Sequence, residues 1–229
     1  MTYSRDRYLE GHNLYNKDAK FNSELETKFN KRFNKYGANP KGSYWLNAER
    51  QNLRFEIMFK EIIKLGIKKA FSVGDIGCGY GALLQFIMEK YSNDEIHYYG
   101  YDISKELIDY CRKNYCQTGA TFSVGSKPQK SLDFCLISGT FNLSATKIYS
   151  DWENYIFRNL TSCWQQTRTA LIFNLQTCDE PYISNGNIFY GNKYAIARRC
   201  GVLFGPTSFT SHSQLPHDTT FVIKRIYTK

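Results

Sequence analysis

Val73-Gly74-Asp75-Ile76-Gly77-Cys78-Gly79-Tyr80-Gly81-Ala82 is the stretch that decides how this chain folds. The apolar run Ala70–Ile76 reads as a short strand, and Ala82–Tyr91 has helical spacing. Between them lies a glycine-rich turn. The backbone there must turn sharply and let a ligand touch it without a Cβ in the way. The N–H groups at the start of the helix then face that ligand. Taken alone the segment is ambiguous, because Gly77-x-Gly79-x-x-Ala82 also satisfies the relaxed dinucleotide fingerprint. Two acids separate the readings. Asp75 stands just ahead of the turn, where it would repel a pyrophosphate and attract an ammonium group. The next strand closes with Tyr98-Tyr99-Gly100-Tyr101-Asp102, placing a second acid 27 residues after Asp75. An acid at that strand end suits both hydroxyls of a ribose. Together they describe an adenosine with an amino-acid tail rather than a nicotinamide dinucleotide.

Working outward, strand and helix alternate. Ile96–Tyr101, Thr121–Val124, Leu132–Ile137 and Ala170–Leu175 read as strands, and Thr219–Tyr227 as a β-rich tail. Helices are expected over 45–66, with Gly66 as C-cap, and from N-cap Ser104 to about Tyr115. Asp151–Gln166 and Asn192–Cys200 complete the set. Such alternation implies a parallel sheet with helices on both faces. Residues 1–45 show no clean period and read as an arm or lid with some helix, ahead of a single domain over 46–229.

Composition narrows the function classes. The chain has 229 residues, 42% hydrophobic and 22% charged, which fits one globular α/β domain. No apolar run approaches the roughly 20 residues of a membrane span, and the polar start lacks a signal-peptide core. A cytoplasmic protein is expected. The seven cysteines are odd in number and irregular in spacing, as reduced and mostly buried thiols are. Residues 1–70 hold 15 Lys/Arg and 8 Asp/Glu, so +7 of the +9 net charge lies there. Interleaving, as in Lys28-Phe-Asn-Lys31-Arg32, favours a solvated helix face over a nucleic-acid surface.

Asp75-x-Gly77-x-Gly79-x-Gly81 with Asp102 resembles motif I and the following acidic loop of the class I S-adenosylmethionine (SAM)-dependent methyltransferases, over about residues 70–175. A narrower resemblance links Gly42-Ser-Tyr-Trp45, Gln51-Asn-Leu-Arg54-Phe55, Leu136-Ile-Ser138-Gly139-Thr140-Phe141-Asn142 and His217-Asp218-x-x-Phe221 to a group of bacterial small-molecule methyltransferases. The family implies a Rossmann-like, seven-stranded, mostly parallel sheet of order 3-2-1-4-5-7-6, its last strand antiparallel and inserted beside the fifth.

The resemblance also implies roles. Gly77 and Gly79 would let the methionine part of SAM lie on the turn, and Asp75 would hold its amino group. Asp102 would accept from the ribose hydroxyls, and Ile103 would pack on the adenine. Ser126 stands where the family usually has an acid near the adenine amine. Arg54 is the candidate for the methionine carboxylate. Trp45 would face the sulfonium, where an aromatic ring stabilises a cation, with Gln51 beside it. Ser138, Gly139, Phe141 and Asn142 follow the fourth strand and would border the transferred methyl, the last two on the acceptor side. Asp179 and Asp218 are further acceptor-side candidates. His217, His212 and Tyr190 are the candidate bases, the histidines being expected in the loop before the last strand. Asn142-Leu-Ser stands where catechol-type enzymes hold magnesium, so no metal is expected. The implied activity is methyl transfer to an oxygen or nitrogen of a small molecule, in secondary-metabolite or modified-sugar biosynthesis, by a monomer or homodimer. The alternative is an RNA or tRNA methyltransferase using the basic N-terminal third.

Overall fold

The computed structural model describes residues 3–66, 70–91 and 95–226, and within the first helix the side chains from Asn16 onward. In chain order the elements are α1 (Tyr3–Tyr36), a 3-10 turn (Pro40–Ser43), α2 (Ala48–Lys64), β1 (Phe71–Ile76), α3 (Ala82–Lys90), β2 (Ile96–Asp102), α4 (Lys105–Asn114), β3 (Thr121–Val124) and β4 (Leu132–Ile137). There follow α5 (Tyr149–Gln165), β5 (Thr167–Gln176), the hairpin β6 (Tyr182–Ile183) and β7 (Phe189–Tyr190), α6 (Lys193–Phe204), β8 (Thr207–His212) and β9 (Leu215–Lys224).

Seven strands form one sheet of order β3-β2-β1-β4-β5-β9-β8. β1 to β5 pair in parallel, and β9 is inserted antiparallel between β5 and β8. With the small hairpin set aside, this is the expected order and the expected reversed last strand. The central strands β1 and β4 are buried almost throughout, on both faces, and so show no in-out alternation. One core packs α2, α3 and α4 on one face of the sheet. The other packs α1, α5 and α6 on the opposite face.

Local chemistry sets the helix ends. Asn47 caps α2 by accepting from the Arg50 N–H at 2.9 Å, and Ser104 caps α4 by accepting from the Leu107 N–H at 3.1 Å. Gly66, at φ +71°, follows the end of α2 as a left-handed residue.

Three expectations change. The arm is one helix of 34 residues, not an arm with some helix. Its apolar stripe is Phe21, Leu25, Phe29 and Phe33, one residue per turn, too sparse to show as a period. Phe21 meets Trp152 and Tyr155 of α5 edge-on, and Phe33 meets Tyr110 of α4 at 5.3 Å. Thus α1 bridges the two helices across the carboxyl ends of the strands. Second, the segment before the last strand is itself a strand, β8, so His212 ends β8 and His217 lies within β9 rather than in a loop. Third, the tail strand begins at Leu215 and ends at Lys224; Tyr227 lies outside the described residues, as do Met1 and Thr2 of the arm. All seven cysteines are free thiols, five of them buried, with Cys178 half-buried and Cys116 exposed.

Candidate active site

The parallel strands end on one side of the sheet, and there the glycine turn meets the acid of β2. Asp102 is 7% exposed and accepts from the N–H groups of Gly79 and Ser104, both at 2.9 Å. The Gly77 and Cys78 N–H groups bond to the Tyr101 carbonyl. The turn is thereby tied to the end of β2. Each Asp102 oxygen keeps lone-pair capacity for a hydroxyl. Burial raises its pKa, opposed by the backbone donors. Asp75, 3% exposed, accepts from Tyr98 Oη at 2.6 Å. Burial raises its pKa from 3.8 to about 7; the Tyr98 bond opposes this, and the Asp102 charge adds to it.

Around these acids lie two adjoining cavities. The larger, about 730 Å³, runs from Gly77 and Gly79 past Asp102 and Ile103 to Gly125 and Ser126, and is walled by Ser138, Gly139 and Phe141. Leu25 and Phe29 of α1 roof it. The smaller, about 310 Å³, holds Asp75, Gln51 and Tyr80, and shares Trp45, Gly77, Gly79 and Ser138 with the first. Gln51 is buried, its Oε1 accepting from Tyr80 Oη at 2.9 Å.

Two observations fit a polar ligand that passes from one cavity into the other. Gly79 sits at φ +56°, and a Cβ there would meet only Ser43 Oγ at 3.4 Å, so it would fill the cavity rather than the protein. Ser138 Oγ is buried without a hydrogen-bond partner on the wall common to both cavities. With an acid at each end, this cradle suits the ribose hydroxyls and the amino group of SAM.

A third opening, a cleft of about 600 Å³, adjoins the first through Phe29, Ser43, Trp45 and Gly139. Arg50, Arg54, Asn142 and Gln176 line it, with Tyr44, Leu46, Leu143 and Ile188. Here Arg54 is turned to Asp218: its Nε donates to Asp218 Oδ2 at 2.7 Å, Nη2 donates to the same oxygen, and both side chains are 5% exposed. The other Asp218 oxygen accepts from Asn174 Nδ2, and Asn174 Oδ1 accepts from the Gly139 N–H at 2.7 Å. Trp45 lies over the guanidinium, 4.5 Å from carbon to ring centroid. Gly139 has φ +71°, and a Cβ there would strike Trp45 at 2.6 Å.

Ten of the eleven cofactor candidates therefore come together: Trp45, Gln51, Asp75, Gly77, Gly79, Asp102, Ile103, Ser126, Ser138 and Gly139 line the first two cavities, whereas Arg54, expected at the methionine carboxylate, lines only the third and is held by Asp218. Phe141 lines the first cavity and packs on Tyr155, away from the third. Asn142 lines the third, its Oδ1 accepting from the Gln176 N–H at 3.0 Å. The remaining candidates line none of the three. Asp179 is exposed. His217 is exposed, edge-on to the Tyr190 ring, and Tyr190 stacks on Tyr182 at 4.9 Å. His212 Nδ1 accepts from the Gln214 N–H at 3.3 Å.

Sequence reasoning missed Arg50, Asn174, Tyr98 and the α1 stripe. Asn174 did leave a signal, as an amide inside an apolar strand run. Arg50 left none, standing among charged residues at a helix start.

Residues 73–158 match a protein family described as a methyltransferase domain. The Mycobacterium tuberculosis (strain ATCC 25618 / H37Rv) protein named "Putative methyltransferase Rv1506c" is 22% identical over 157 residues, covering 68% of this chain and 93% of its own. Among solved structures, the complex of DhpI with S-adenosylhomocysteine (SAH) superimposes with a TM-score of 0.58 at 12% identity, over 89% of this chain and 96% of that one. Magnesium protoporphyrin IX methyltransferase from Synechocystis PCC 6803 with bound SAM gives 0.53 at 13% identity, over 76% and 80%. At these identities the structural likeness speaks for the fold. No helix among the described residues is long and apolar enough to cross a membrane.

Proposed function

We propose that this chain, whose residues 73–158 match a methyltransferase-domain family, is a class I SAM-dependent methyltransferase that transfers the methyl group of SAM to an oxygen or nitrogen atom of a small molecule. The observation that carries this reading is the cleft behind Trp45 and Gly139, which adjoins the cofactor cavity and is enclosed by α1 and the 3-10 turn. Its lining, aromatic and aliphatic side chains with a few polar groups, suits a small molecule. Lys17 and Arg32, basic residues of the N-terminal third, are engaged within the chain, with Asp151 at 2.6 Å and the Lys41 carbonyl at 2.6 Å.

Bound SAM supplies an electrophilic methyl group on a sulfonium. The protein's part is positioning and exclusion of water. Asp102 holds the ribose, Asp75 the amino group, and the glycine turn lets the methionine part lie against backbone. Ser138 offers its unused hydroxyl where the two cavities join. Trp45 and Gly139 form the wall between cofactor and acceptor. Helix α1 forms the roof, with Leu25 and Phe29 closing over the reacting groups.

A thermal shift with SAM, SAH and NAD side by side tests the cofactor half. A ligand at about 100 times its dissociation constant adds about 2.7 kcal/mol, or about 5–10 °C at this size. The expected result is a rise with SAM and SAH and none with NAD. Methyl transfer from labelled SAM to small molecules but not to bulk tRNA tests the acceptor half; transfer to tRNA with small molecules inert would replace this reading with the RNA one.

A further inference from the structure

We propose that the acceptor is a small carboxylic acid and that the methyl group goes to its carboxylate oxygen, giving a methyl ester. This rests on the methyltransferase reading above and adds the acceptor group. Three features of the cleft carry it.

First, its polar wall includes unused donors. Arg50 lines the cleft, and its guanidinium makes no hydrogen bond or ion pair among the described residues; the helix uses only its backbone. The Asn142 carboxamide is oriented by the Gln176 N–H, which takes its oxygen, so its NH2 group is left for the cleft. A guanidinium and an amide NH2 together fit a carboxylate, which accepts at both oxygens. Asp218, bonded to the cleft-lining Arg54, is neutralised by it and by the Asn174 amide, and does not repel an anion.

Second, the groups that could serve as a base stand elsewhere. His217 is exposed beside Tyr190, and His212 is occupied by the Gln214 N–H. The Tyr44 hydroxyl, on the cleft rim, donates to the Lys28 carbonyl. A carboxylate needs no base, since it is already ionised at neutral pH. One lone pair of its oxygen forms the new O–CH3 bond as the S–CH3 bond breaks. The bonding pair stays on sulfur, the sulfonium becomes a neutral thioether, the carboxylate becomes a neutral ester, and no proton moves.

Third, much of the remaining wall is apolar or aromatic: Phe29, Trp45, Leu46, Leu143 and Ile188. Arg32 lies 4.2 Å over the Tyr44 ring and adds positive charge at the mouth. An acid with an aromatic or aliphatic body matches both kinds of surface.

The test uses the full-length protein loaded with SAH and a fixed panel: benzoate, cinnamate, phenylacetate and octanoate, beside benzyl alcohol, phenol, benzylamine and octanol. Calorimetry should show binding of one or more acids and none of the neutral or cationic partners. Methyl-labelled SAM should then label only acids, and alkaline hydrolysis should release the label as methanol, which ethers and methylamines do not do. Arg50→Ala should weaken acid binding roughly ten- to hundredfold and leave SAH affinity within about twofold, because Arg50 lines neither cofactor cavity. Arg50→Lys should recover part of the loss, keeping the charge without the fork. Label in an ether or amine would overturn the proposal. So would acids that neither bind nor react while SAH still binds, an outcome that leaves the cofactor assignment standing. Failure of SAH itself to bind would overturn the reading beneath it.

Discussion

Arg54 and Asp218, 164 residues apart in the chain, form a buried ion pair that fastens α2 to the strand inserted at the sheet's reversed edge. Through Asn174 the pair reaches the Gly139 N–H, and so the wall between cofactor and acceptor. Removing one partner leaves an uncompensated charge in the interior, which costs about 3–5 kcal/mol. Arg54→Met should lower stability by that amount in urea melts. The double variant Arg54→Met/Asp218→Asn should recover much of it, since a neutral amide carries no buried charge and still bonds Asn174. A double variant no better than the single would mean that the guanidinium acts mainly by packing on Trp45.

Asp102 is expected to dominate cofactor affinity. Its carboxylate shapes the turn through Gly79 and, in the role proposed above, would also hold the ribose, so Asp102→Ala would lose both. Hydrogen bonds to a charged group contribute about 1.5–3 kcal/mol each. Affinity for SAH should therefore fall by a factor of about 100 or more, and the ligand-free protein should also melt lower, because the Gly79 and Ser104 N–H groups lose their acceptor. Calorimetry measures the first and a melt the second.

The raised pKa of Asp75 gives a pH dependence with a definite sign. The folded state holds the proton up to about pH 7, the unfolded chain only to 3.8. Stability contributed by the neutral carboxyl is present at low pH and is lost as pH rises from about 4 to 7, on the order of 4 kcal/mol in all. Asp75→Asn should flatten that slope. Cofactor binding runs the other way, because the ammonium group of SAM favours the ionised acid. SAM affinity should climb from pH 5.5 to 7, and Asp75→Asn should abolish the climb. An affinity that is flat with pH in the parent protein would show that the carboxyl does not meet the ammonium.

How α1 is held can be read from two substitutions. The Asp18–Arg158 pair is partly exposed, so Asp18→Ala should cost under about 1 kcal/mol. Phe21 is 5% exposed between Trp152 and Tyr155, and Phe21→Ala should cost about 3–5 kcal/mol. Phe29→Ala, at the roof, should be milder in stability and should reduce turnover more than SAH binding. Equal losses from Asp18→Ala and Phe21→Ala would mean that charge, not apolar insertion, docks the helix.

Gly139→Ala tests the wall. The residue is left-handed and its Cβ would collide with Trp45. The backbone cost alone is about 1–2 kcal/mol. Turnover should fall at least about tenfold as the indole is displaced, with a smaller change in SAH affinity. Retained turnover would show that Trp45 has room to shift.

The sequence by itself determined the glycine turn, its two acids, and the alternation that builds the parallel sheet. These are local properties: a left-handed turn needs glycine, and a strand buried on both faces must be apolar throughout. Strand β4 could be read to the residue for that reason, whereas β3, the edge strand, is buried only at Phe122. What only the tertiary structure decided are the relationships across the chain. Asp218 and Arg54 were both legible as chemistry, yet nothing local says that they face each other. That depends on where the antiparallel β9 sets Asp218, opposite Gln176 of β5 and above α2. The long helix α1 was hidden because its partners supply most of its apolar surroundings, so its own stripe needs only one residue per turn. His212 and His217 looked well placed in a supposed loop. The hairpin of β8 and β9 turned that loop into sheet and carried both histidines away from the first two cavities, while Arg50, unremarkable in sequence, was brought to the third cleft. Spacing fixes what a residue can do along its own element; packing of elements distant in the chain fixes what it meets.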